Sequence, residues 1–162
     1  MNKGARVRAF GDGRKPVKSF PDDFYMTDAI TDHAVEAIRD FSKGADPFLV
    51  HVCYTAPHYP LHAKPEDIAR YKERYLCFWV ELRNERYKRM VSMGLVDPKW
   101  KRPERETRVG PWEKEKHKEW QALRMAVYAA MIDSMDQGIG RILDHLETVS
   151  YTHLTLPTNR EV

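Results

Sequence analysis

Cysteine is scarce in this chain. Only Cys53 and Cys77 occur among 162 residues, which excludes a small fold stapled by disulfides. Long apolar runs are also missing, so no segment approaches the roughly 20 residues that cross a bilayer. The opening, Met1 to Phe10, lacks the apolar stretch of a signal peptide. Strong charge of one sign is absent too. The 27 Lys and Arg against 24 Asp and Glu leave a net charge of +3, too little to mark a nucleic-acid binder. The basic residues are mixed with acids, as in the run from Glu113 to Glu119, which reads as a solvated helix face. What is present is apolar and aromatic: 42% and 11% of the residues, in long periodic stretches, which excludes disorder throughout. The length fits about one domain, able to bury roughly 70% of its unfolded surface.

The opening to Pro21 is rich in Gly, Lys and Arg and reads as loop around a Gly11-Asp12-Gly13 turn. A helix is expected from about Thr27, capped by Thr27 or Asp28. Ile30, Ala34, Ala37, Ile38 and Phe41 would form its apolar face, and Lys43-Gly44 its stop. The run Pro47 to Tyr54 is continuous and rich in β-branched and aromatic residues. It predicts a central parallel strand buried on both faces. Thr55-Ala56-Pro57-His58-Tyr59-Pro60 then forms a proline-stiffened loop. Helices are expected over 65–75, opened by Pro65, and over 76–93, closed by Gly94; 97–111 reads as an irregular excursion. The strongest period lies last. Leu123, Val127, Met131, Met135, Ile139, Ile142 and Leu146 mark one face of a long helix ending near Glu147, expected to pack on the sheet.

His58 is the leading candidate for chemistry. In open α/β sheets ligands gather beyond the carboxyl ends of strands, and a rigid loop there holds an imidazole able to accept and donate protons near neutral pH. The alternative is a histidine that merely bonds a loop carbonyl. His62 lies four residues on, but Pro60 between them breaks the helical spacing that a shared metal would need. His51 reads as a packed core histidine, and Cys53 and Cys77 as small buried hydrophobes. Asp22-Asp23 follows Pro21 rather than a buried strand, so a helix-entry loop outweighs a metal site. Asp133 and Asp136 read as a solvated face with Arg141 nearby.

The stretch Pro47 to Pro60, ending Ala56-Pro57-His58-Tyr59-Pro60, resembles the sulfatase family, arylsulfatases in particular. Tyr25 to Ala34 resembles the family's helix before that strand, Leu82 to Met90 its insertion, and Met125 to Arg141 its long helix. The four stretches occur in the same order, and the resemblance covers about residues 15 to 148. It implies an α/β fold: part of an alkaline-phosphatase-like sandwich, with an incomplete central sheet and long flanking helices. It also implies hydrolysis of a small-molecule or glycan sulfate ester by a formylglycine nucleophile and a calcium ion. His58 is the one active-site residue that carries over, as a group that binds the ester and assists the leaving group.

The sequence departs from the family elsewhere. Neither Cys53 nor Cys77 heads a Cys-x-Pro-Ser-Arg motif, and the family's two acidic metal pairs have no counterpart here. The chain therefore reads as an internal piece of a sulfuric ester hydrolase, inactive alone and binding neither cofactor. Residues 1–149 would be a partial catalytic domain. Residues 150–162, low in charge and rich in Thr, resemble vector-derived sequence and would belong to no core. Two other functions stay open: a non-catalytic α/β interaction module, and a phosphatase or phosphodiesterase of the same fold. No nucleic-acid partner and no membrane span are expected. The compartment is left open, since export of the parent would depend on a segment upstream.

Overall fold

Helices dominate the computed structural model, which describes residues 10–12, 15–76, 79–104 and 106–149. Two short strands come first, β1 (Phe10–Asp12) and β2 (Lys15–Val17). They pair antiparallel with Phe10 opposite Val17, so Gly11 and Asp12 of the expected turn lie in a strand, and Gly13 lies outside the described residues. This pair is the only sheet among the described residues. Four α-helices follow among the described residues: α1 (Met26–Phe41), α2 (Pro65–Tyr71), α3 (Trp79–Ser92) and α4 (Lys118–Thr148). A single 3₁₀ turn, Trp112–Lys114, precedes α4 and buries Trp112.

The helices form where the sequence pattern placed them, with local corrections. Helix α1 begins without a side-chain cap; Tyr25 holds the cap position, and Thr27 is buried instead of capping. The buried face of α1 is Thr27, Thr31, Ala34 and Ile38, so Phe41 at its end stays half exposed. Pro65 opens α2, where its missing N–H costs nothing. Gly94 follows α3 with φ 71°, the left-handed conformation that glycine adopts freely at a helix end.

The central strand is absent among the described residues. Residues 47–54 run extended but make no ladder with any described segment. Their side chains alternate. Phe48, Val50, Val52 and Tyr54 are half buried, while Leu49, His51 and Cys53 are exposed. A continuous apolar run gives extended backbone locally, but a strand exists only with hydrogen-bonded neighbours.

Long helix α4 is the spine, packed against α1 and α2. Its buried residues are Ala122, Ala126, Ala130, Met131, Ser134 and Gly138, so Met131 alone of the larger apolar stripe is buried. Leu123 and Ile139 remain 45% and 39% exposed, so the expected packing of that stripe on a sheet is not found. The small residues recur every four positions and let the helices approach closely. Ala63, Ala130 and Met131 form the core cluster, with Leu61, Ile68 and Val127 packed around it. Helix α3 buries no residue. It is held by Trp79 edge-on to Trp112 at 4.9 Å and by an Arg74–Glu85 ion pair of 2.6 Å.

Candidate active site

The His58 loop is tied at both ends to the first half of α1. At its start, Thr31 donates its hydroxyl proton to the Thr27 carbonyl at 2.9 Å. Tyr54 must therefore donate to Thr31 Oγ1, 2.8 Å away. At its end, the buried Tyr25 donates its hydroxyl to the His62 carbonyl at 3.2 Å, with the His62 ring edge-on at 5.6 Å. Lys64 closes the clamp by pairing with Asp28 at 2.5 Å, its ammonium 5.4 Å from the Tyr25 ring centre.

Between these ties the chain turns sharply. The His58 N–H donates to the Thr55 carbonyl at 2.9 Å, and the bonds before Pro57 and Pro60 are both cis. His58 is exposed, and its Nδ1 lies 2.6 Å from the Tyr59 carbonyl oxygen. A carbonyl only accepts, so Nδ1 carries the hydrogen and Nε2 is left free to face a ligand. The loop borders an open cleft of about 1050 Å³, lined also by Tyr25, Thr27, Tyr54, His62 and Met131. His62 shares that cleft, although no group of three potential metal ligands occurs among the described residues.

The other candidates fall elsewhere. Asp22 and Asp23 sit exposed in a turn closed by Phe24 N–H on the Pro21 carbonyl, as a helix-entry loop would have them. His51 and Cys53 are exposed rather than buried, because no element among the described residues covers that face. Their side chains meet each other, with Cys53 Sγ 3.4 Å from His51 Nε2. Cys77 lies outside the described residues, as does the tail 150–162. Asp133 pairs with Arg70 at 3.4 Å, and Arg141 reaches Asp32 at 2.6 Å rather than the Asp133–Asp136 face. Beside Asp133, burial pushes the Tyr71 hydroxyl above its ordinary pKa, and the Asp133 charge adds to the shift.

Sequence reasoning missed a buried polar set behind the loop. Asp67, 4% exposed, accepts a hydrogen bond from Ser134 at 2.6 Å and an ion pair from Arg70. The fourfold recurrence Ala122, Ala126, Ala130, Ser134 and Gly138 was the available signal, since such a row marks where helices meet closely.

A family model, described as Sulfatase, matches residues 5–156. The chain belongs to the sulfatase family. It is 32% identical over 148 residues to the arylsulfatase of Klebsiella aerogenes, a match covering 85% of this chain and 30% of that protein. It is also 31% identical over 130 residues to an uncharacterized sulfatase of Schizosaccharomyces pombe, covering 78% and 23% respectively. This sulfatase chain thus spans less than a third of the curated relatives it matches. Sulfatases share an alkaline-phosphatase-like α/β fold, so the mainly helical described part is what a segment of one presents. The described residues of this sulfatase do not fit a calcium ion by themselves, because no three acidic, His or Cys side chains converge.

Proposed function

We propose that this chain is the part of a sulfuric ester hydrolase that carries its substrate-facing histidine, His58. The observation behind this is the orientation of the ring. Nδ1–H is committed to the Tyr59 carbonyl, so Nε2 is the only nitrogen free to act. Once protonated, Nε2 donates to an oxygen of a sulfate ester and can pass its proton to the leaving oxygen. The clamp through Tyr54 and Tyr25 holds the loop on α1, which limits the ring's freedom before substrate arrives. The whole enzyme's formylglycine and calcium chemistry lies with other segments. One histidine supplies help of typically 10²–10⁴-fold and cannot replace a nucleophile and a metal. The purified chain is therefore inert toward aryl sulfates, with residues 1–149 a partial catalytic domain and 150–162 outside it.

Grafting tests this reading. The segment of the Klebsiella arylsulfatase that matches this chain is replaced by the corresponding residues here. The chimera should hydrolyse an aryl sulfate, and His58→Ala in the chimera should lose about 10²-fold or more. A folded chimera whose turnover ignores His58→Ala, or that prefers an aryl phosphate, would sink the proposal.

A further inference from the structure

A second cleft, of about 770 Å³, lies between α3 and α4, away from His58. Three arginines of α3, Arg83, Arg86 and Arg89, line it at spacings of three residues. Each step rises about 4.5 Å along the helix, comparable to the span of one sugar ring. Opposite them α4 offers Tyr128, 38% exposed, and Trp79 closes the end of the cleft. Arg83 donates to the carbonyls of Pro103 and Glu104, whereas Arg86 and Arg89 have no side-chain hydrogen bond or ion pair among the described residues. Two of the acids that line the cleft are already paired. Glu85 pairs with Arg74, itself in the lining, at 2.6 Å and Asp133 with Arg70 at 3.4 Å, so Asp136 is the remaining carboxylate of the lining.

We propose that this cleft binds an acidic saccharide chain, with Arg86 and Arg89 holding anionic groups on successive sugars and Tyr128 supporting a ring face. Guanidinium groups match carboxylate and sulfate oxygens in a planar, two-pronged way that lysine does not. An aromatic ring presents a flat apolar surface to the C–H face of a sugar while its hydroxyl stays wet. A simple anion would need no such platform. The modest charge of +3 argues against a nucleic acid. This site does not depend on the reading of His58.

The test is a titration of the full 162-residue chain at low salt with two probes, a tetragalacturonate and a heparin-derived tetrasaccharide. Binding of either supports the proposal, and the preferred probe tells carboxylate from sulfate. Affinity should fall as salt rises. Arg86→Gln with Arg89→Gln should weaken binding at least tenfold, the double Lys variant should keep part of it, and Lys43→Gln, an exposed cation outside the cleft, should change nothing. Perturbation of the Arg83, Arg86 and Arg89 Nε–H and Trp79 indole signals in the unaltered chain provides a readout that needs no variant. The proposal is overturned by no binding of either probe, or by equal binding of a neutral cellotetraose, inorganic sulfate or a single-stranded oligonucleotide. An unchanged affinity in the Gln variant, or signals that move elsewhere, also overturns it.

Discussion

Gly138 and Gly140 sit two residues apart on α4 and face opposite demands. A Cβ on Gly138 would press on Thr31 Oγ1 and come within 2.8 Å of Tyr54 Oη, the pair that anchors the His58 loop. A Cβ on Gly140 meets nothing within 4 Å. Overpacking costs about 1–3 kcal/mol, and breaking the hydroxyl pair adds about 1 kcal/mol. Against this, alanine gains about 1 kcal/mol over glycine in a helix. Gly138→Ala should therefore lower stability by roughly 1–3 kcal/mol, while Gly140→Ala should raise it by about 1 kcal/mol. Paired urea titrations check the signs. Equal shifts in the two variants would show that the Thr31–Tyr54 contact imposes no such constraint. The sequence showed both glycines but not their difference, because the contact that separates them joins residues more than 80 positions apart. His58 was legible for the opposite reason: its neighbours in sequence build the loop that presents it.

Helices were legible because their period is local, and α1 to α4 form where apolar spacing, prolines and Gly94 placed them. What the period did not give was the buried side of α4. The large apolar residues Leu123, Met131 and Ile139 dominate a hydrophobicity pattern, yet of these only Met131 is buried, and close approach to α1 and α2 selects the small residues beside them. The two readings predict opposite mutants. Ala130, fully buried in the core cluster, has no room for three extra side-chain carbons, so Ala130→Leu should cost about 1–3 kcal/mol. Leu123 is 45% exposed, so Leu123→Gln should stay within about 0.5 kcal/mol of the parent chain. Thermal unfolding followed by circular dichroism measures both. A larger loss at Leu123 than at Ala130 would restore the large stripe as the packing face. The extended run Pro47–Tyr54 was misread by the same kind of local argument. Its residues dictate extended backbone, but pairing is decided by segments that the run does not contain.

Across the whole molecule, the exposed side chains of that run govern behaviour in solution. Leu49 is 91% exposed, on the uncovered face of residues 47–54, alongside His51 and Cys53. Further large apolar surface lies at Trp100, 64% exposed, and Leu95, 61% exposed. Monomers seldom leave contiguous apolar patches uncovered, and an extended segment outside any ladder of the described residues can offer its edge to another chain. The chain should therefore self-associate, increasingly so over a tenfold rise in concentration, with an increase in β signal as it does. Lysine on an exposed edge is a device by which proteins discourage such pairing, since each added strand would bring like charges together. Leu49→Lys should accordingly reduce the associated fraction in sedimentation velocity, and added salt should restore part of it by screening the repulsion. The substitution removes an exposed side chain, so the unfolding midpoint should hardly move. Association that persists unchanged in Leu49→Lys but falls in Trp100→Lys would place the contact on the excursion between α3 and α4. Pairing through residues 47–54 would then be ruled out as its cause.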